Sequence, residues 1–243
     1  MMKSGNPALS KKTFNNLKST TGEVMTLDGT VNKTAMSLAI LLFAAYYAYS
    51  NPIVEYMWIG FSGGLVMAVI TILKKEWSPI TVPIYAVLEG LFLGGISKIY
   101  ADLFEPGIVP QAISLTLGIL IALLFAYKTR IIKVTKNFKL GIFAATAGIG
   151  LVYLISLLMS LFGSGGLPFM NPTNASMISI GFSLFVVVIA SLNLVMDFDF
   201  IEHGAENGAP KYMEWYGAFG LLVTLIWLYL EILKLLTKLN SRK

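Results

Sequence analysis

The chain has no cysteine. Disulfides and thiolate metal sites are thereby excluded, and the redox compartment leaves no trace. Its one histidine, His203, excludes multi-histidine metal centres. Charge is scarce as well: Asp, Glu, Lys and Arg make up 13% of 243 residues, about half the share usual in soluble domains. No HExxH, GxSxG or P-loop pattern occurs. No pair of aspartates on neighbouring spans carries an intramembrane-protease signature. No enzymatic role and no organic cofactor are expected. The net charge of +5 comes from basic residues at the ends of apolar runs. They form no stripe interleaved with aromatics, so nucleic acid is not an expected partner.

What fills the chain instead is apolar sequence. Hydrophobic residues are 56% and mean hydropathy is +0.74, values of an integral membrane protein. A helix needs about 20 mostly apolar residues to cross the hydrocarbon layer. Seven runs approach or reach that length: Ala35 to Tyr49, Met57 to Leu73, Ile80 to Ile99, Pro110 to Tyr127, Leu140 to Phe162, Met177 to Met196 and Trp215 to Leu236. The first is short, with room to extend to Thr34 or Pro52. Pro79 and Pro83 open the third helix and do not break it. Backbone groups in lipid must be satisfied internally, and no period-2 barrel pattern appears, so the spans are helices. The predicted fold is all-α: a seven-transmembrane-helix bundle over residues 35–238. A polar cytoplasmic arm (1–34) precedes it and a short basic tail (239–243) follows. The arm lacks the apolar core of a signal peptide, so no cleavage is expected.

With the N-terminus cytoplasmic, thirteen Lys and Arg fall inside and five outside, which favours that orientation. The basic tail is then on the minority side. A re-entrant seventh segment would bring it back, and both arrangements stay open. Small residues recur at "GFSGG" (60–64), "EGLFLGG" (89–95), Gly141, Gly148 and Gly150, as expected where helix backbones approach closely in lipid. Tyr56, Trp58, Trp77, Trp215 and Tyr216 fit an interfacial aromatic belt.

Against this background a few charges stand out. Glu89 in "YAVLEGLFLGG" and Glu231 in "LIWLYLEILKLL" lie within apolar runs. An ionisable group at mid-bilayer costs about 3 kcal/mol or more, which makes each a functional candidate. The alternatives are a carboxyl hydrogen-bonding a neighbouring helix for Glu89, and an ion pair with Lys234 for Glu231. Gly217, Gly220, Thr224, Trp227 and Glu231 step by three or four and share a small, polar face. The sixth run ends in "SLNLVMDFDFIEHGAENGAPKYMEW" (191–215), with Asp197, Asp199, Glu202, Glu206 and Glu214 against one lysine, Lys211, and His203. These acids are either a solvated loop or the mouth of a polar pathway, into which Asn193, one turn inside the run, would lead. On a continuing helix Asp197 and Asp199 stand about 200° apart, so only one is expected to face inward. His203 is either solvated or a pH-responsive group.

"NPALSKKTF" near the N-terminus, "PIYAVLEGLFLGGISKIY" in the third span and "LNLVMDFDFIEHGAENGAPKYMEWYGAFGLLVTLIWLYLEILKLL" at the end resemble the transmembrane Bax inhibitor motif family. The likeness leans towards its bacterial branch of Bax-inhibitor-like, YccA-related membrane proteins and covers most of residues 6–238. The resemblance implies seven helices around a central one and a bacterial inner-membrane location. It also implies a pH-sensitive calcium leak gated by two acids near the cytoplasmic mouth. Asp197 matches the first acid and Glu231 the second, and Ca²⁺ would be held by these two. Phe198 and Asp199 depart from the family's threonine and glutamine, so Asp199 is an added acid. The 34-residue gap from Asp197 to Glu231 is also about ten longer than the family implies. If the seventh helix begins at Met213, Glu231 lies about 27 Å along it, and Glu214 becomes a rival partner. The "EG" of Glu89 is read as structural or pore-lining.

Two carboxylates sharing a poorly solvated site hold one proton between them and titrate as a pair. Loss of that proton frees them to collect a hard cation such as Ca²⁺. The expected partners are thus membrane lipid and calcium ions or protons. A rival reading, a non-conducting regulator that binds a membrane protease, draws on the polar arm and the small-residue faces. A solute transporter is disfavoured by the absence of an inverted repeat.

Overall fold

The computed structural model describes residues 22–163 and 165–242. The motif "NPALSKKTF" and most of the polar arm lie outside them. Among the described residues the chain forms seven long helices: α1 (Leu27–Ser50), α2 (Val54–Leu73), α3 (Ser78–Leu103), α4 (Ile108–Lys128), α5 (Lys136–Leu161), α6 (Met177–Glu206) and α7 (Met213–Asn240). Each is long and apolar enough to cross a membrane. The protein is a multi-pass, all-α membrane protein.

Two boundaries differ from the hydropathy reading by eight or more residues. Helix α1 begins at Leu27, because Thr26 caps it, its hydroxyl accepting from Gly29 N. The arm therefore gives way to helix well before residue 34. Helix α6 continues to Glu206, so Asp197, Asp199, Glu202 and Glu206 are helical residues and not loop. Helix α7 is unbroken for 28 residues, about 42 Å, more than a bilayer core requires. Pro83 lies within α3, which runs on through it.

The described residues group into two compact units, and α6 and α7 contribute to both. One comprises residues 22–103 and 197–223. Here α3 packs between α1 and α2. Lipid gives helices no hydrophobic reason to associate, so close packing and hydrogen bonds must do it. A methyl at Gly94 would press on the Ala45 carbonyl and the Ala48 side chain of α1. Thr71 and Thr81 share a 2.7 Å hydroxyl–hydroxyl bond between α2 and α3. The Tyr85 and Phe219 rings meet edge-on at 5.0 Å. Residues 24–26 run antiparallel to the α6–α7 linker, with a bridge between Val24 and Pro210 and Met25 N donating to Ala209 O at 2.7 Å.

The other unit comprises residues 104–196 and 224–242. Its core joins Ile142 and Ile149 of α5 to Val186, Ile189 and Met196 of α6, with Tyr153, Phe182 and Trp227 packed around them. Gly141, Gly148 and Gly150, expected as packing positions, are exposed. Each has no described neighbour within 4 Å of where a Cβ would sit. Helix α5 is the least buried of the seven and α7 the most. Buried residues occupy all sides of α7, so Leu222, Ile226 and Leu233 face protein and not lipid.

Candidate functional site

Of the five acids after the sixth apolar run, three are withdrawn from solvent. Asp197 is 0% exposed, Asp199 9% and Glu214 1%; Glu202 is half-buried and Glu206 exposed. The solvated-loop alternative fails for those three. Asp197 and Asp199 are both buried although they point in different directions. Every residue from Asn193 to Ile201 is buried, so this stretch of α6 has no solvent side for either to choose. His203 is half exposed and bonded: its Nδ1 lies 2.8 Å from the Asp199 carbonyl oxygen and 3.7 Å from Asp199 Oδ1. Nδ1 therefore carries the hydrogen in that bond.

Glu214 has a definite occupation. Its Oε1 accepts from Thr26 N at 3.0 Å and Thr26 Oγ at 2.8 Å, and Lys211 Nζ lies at 3.1 Å. The carboxylate sits at the N-terminus of α1, where a negative charge is favoured by the helix dipole and unsatisfied N–H groups. Gly29 makes room for it, since a Cβ there would overlap the carboxylate. Nearby, Ser78 Oγ donates to the Tyr212 carbonyl at 2.8 Å. Burial, and after it the Glu76 carboxylate, raises the Tyr212 hydroxyl above its ordinary value, so the linker tyrosine stays neutral at physiological pH.

Glu231, 2% exposed, belongs to the other unit and has its own setting. Its Oε1 accepts from Tyr153 OH at 2.6 Å and from Lys234 Nζ at 3.0 Å. Lys234 also lies 5.1 Å from the centre of the Tyr153 ring. The within-helix ion pair weighed from sequence is thus present, joined by a tyrosine from α5. Helix α7 does start at Met213, so the long interval along it to Glu231 stands.

Two turns beyond Glu231, Lys238 is 1% exposed. Its ammonium donates to the Phe169 carbonyl and to Ser183 Oγ, both at 2.8 Å. Asn193 Nδ2 donates to Thr146 Oγ1 at 2.9 Å and to Ile189 O at 2.8 Å, tying α6 to α5. Glu89 is half-buried beside Gly64 of α2, with Tyr85 as its hydrogen-bonding neighbour.

A model of the family described as Bax inhibitor 1 like matches residues 6–241. The chain belongs to the Bax inhibitor 1-like family. No curated protein matches it. Asp197 and Glu231 are both deeply buried carboxylates on membrane helices. Among the described residues no three Asp, Glu, His or Cys side chains cluster closely enough to hold a metal.

Tyr153, Lys238, Thr26 and Thr146 went unsuspected in the sequence. Thr26 carried a readable signal, since a threonine with an acid two residues later precedes an apolar run. Tyr153 and Lys238 carried none: their partners are 78 and 55 residues away.

Proposed function

We propose that this Bax inhibitor 1-like protein is a pH-sensitive leak pathway for calcium ions, with the buried carboxylates Asp197, Asp199 and Glu231 as the groups that exchange protons. The observation that carries the reading is the burial of Asp197 at 0% exposure on a helix with four acids and no Lys or Arg. Carboxyl groups kept in a membrane helix at such cost mark ion or proton pathways. Protonated, they offer a passing cation no net charge; deprotonated, they offer the hard oxygen ligands that Ca²⁺ selects. In the same reading the protein sits in a bacterial inner membrane with its N-terminus cytoplasmic, the orientation favoured by the thirteen-to-five cation count.

The test is calcium flux into liposomes holding the purified protein, from pH 6 to 8. Flux should vary with pH in the wild type, and Asp197→Asn and Glu231→Gln should flatten that profile. Identical profiles in both variants remove the carboxylates from the mechanism.

A second reading, a non-conducting regulator of a membrane protein, is favoured by one observation. Helix α5 exposes Gly141, Ala144 and Gly148 along one side, and such small-residue faces let a foreign helix approach closely in lipid. Crosslinking from position 144 to a co-expressed membrane protease, together with absent calcium flux, would favour this reading. Any truncation should stop at residue 21, because residues 24–26 are built into the fold.

A further inference from the structure

We propose that the α4–α5 connection is a binding site for the phosphate groups of anionic phospholipids. Only seven residues, 129–135, separate two spanning helices, so the connection lies at headgroup level. It is the most cationic stretch of the chain: Lys128, Arg130, Lys133, Lys136 and Lys139 fall within twelve residues. Nothing nearby in sequence balances it, because no Asp or Glu occurs between Glu105 and Asp197.

The side chains bear this out. Lys128, Lys133 and Lys136 are exposed, and among the described residues none of the three forms an ion pair. In their own compact unit the two side-chain carboxylates are engaged elsewhere. Glu105 Oε2 accepts from Asn240 at 2.8 Å, and Glu231 is held by Tyr153 and Lys234. Lys136 opens α5, whose first turn has no acid. A cation there faces the positive end of the helix dipole, and the neighbouring lysines add to the repulsion. The backbone fixes the three on one short turn: Arg130 takes φ 59°, and Ile131 N and Ile132 N both return to the Ala126 carbonyl.

Three exposed lysines that form no ion pair among the described residues, on a connection beside a membrane, are attracted to acidic headgroups. The bland account is that they only orient the chain during insertion. That account requires no lipid preference in the folded protein, so the two differ in a measurable way. The inference does not depend on ion conduction.

The experiment uses the full chain in neutral detergent, titrated with phosphatidylglycerol or phosphatidylcholine and read by native mass spectrometry and melting temperature. Phosphatidylglycerol should bind more tightly and raise the melting temperature, and added salt should erase the preference. Lys128→Gln, Lys133→Gln and Lys136→Gln should each lower the phosphatidylglycerol affinity roughly fivefold at low salt. Their melting temperatures without lipid should match the wild type. Equal binding of the two lipids by the wild type overturns the proposal, as does a triple-glutamine variant that keeps the preference. Stabilisation by inorganic phosphate to the same extent as by phosphatidylglycerol also overturns it, since the ligand is then a free anion. If the triple variant fails to fold, Lys133→Gln alone, outside both helices, decides the question.

Discussion

Glu214→Gln and Glu214→Ala separate a structural clamp from a gating acid. The Glu214 side chain is 1% exposed, while Lys211 is 47% exposed, so their ion pair is worth about 1 kcal/mol or less. The larger share comes from the two Thr26 donors at 3.0 and 2.8 Å. Hydrogen bonds to a charged acceptor contribute about 1.5–3 kcal/mol each. Proximity to the α1 N-terminus adds about 0.3–1 kcal/mol. Glutamine keeps an acceptor and loses the charge, so Glu214→Gln should cost about 2 kcal/mol. Alanine also strands the Thr26 N–H and O–H, and Glu214→Ala should cost about 4 kcal/mol. The assay is reversible unfolding in mixed micelles, run as a double-mutant cycle with Thr26→Val, whose coupling should exceed about 1 kcal/mol. The reasoning fails if Glu214→Ala costs under about 1 kcal/mol, or if the two changes are additive. It also fails if Glu214→Gln abolishes the pH dependence of calcium flux at unchanged stability, because the acid then serves the gate and not α1.

Tyr153→Phe removes the 2.6 Å bond to Glu231 and should cost about 1.5–3 kcal/mol, read in the same micelle assay, while the ring left behind keeps its contact with Lys234. Two glycines should respond with opposite signs. Gly94→Ala drives a methyl into α1 and should lower the melting temperature by several degrees, whereas Gly148→Ala enters open space on an exposed helix face and should stabilise by up to about 1 kcal/mol.

Glu231 shows how far local reading reaches. Its spacing to Lys234 is a helix turn, so that ion pair could be weighed from sequence; its bond to Tyr153 could not, because hydrophobic periodicity says nothing about which helices become neighbours. Gly94 and Gly148 look alike in the chain, each in an apolar run, yet one touches a helix and the other faces outward. The carboxylates after Met196 carried a similar ambiguity. Whether such a run is solvated or buried depends on what surrounds it, and α6 turns out to be covered on all sides there.

The amino-acid order alone determined the membrane class, the seven helices and the family. Each of these follows from local quantities: apolar run length, the obligation of backbone groups to bond within a segment, and contiguous motifs. Tertiary structure decided that Glu214 serves the start of α1, that Tyr153 reaches Glu231, and that Lys238 is buried among carbonyl and hydroxyl oxygens. These depend on groups dozens to nearly two hundred residues apart meeting in space, and only the packing of helices against one another sets those distances.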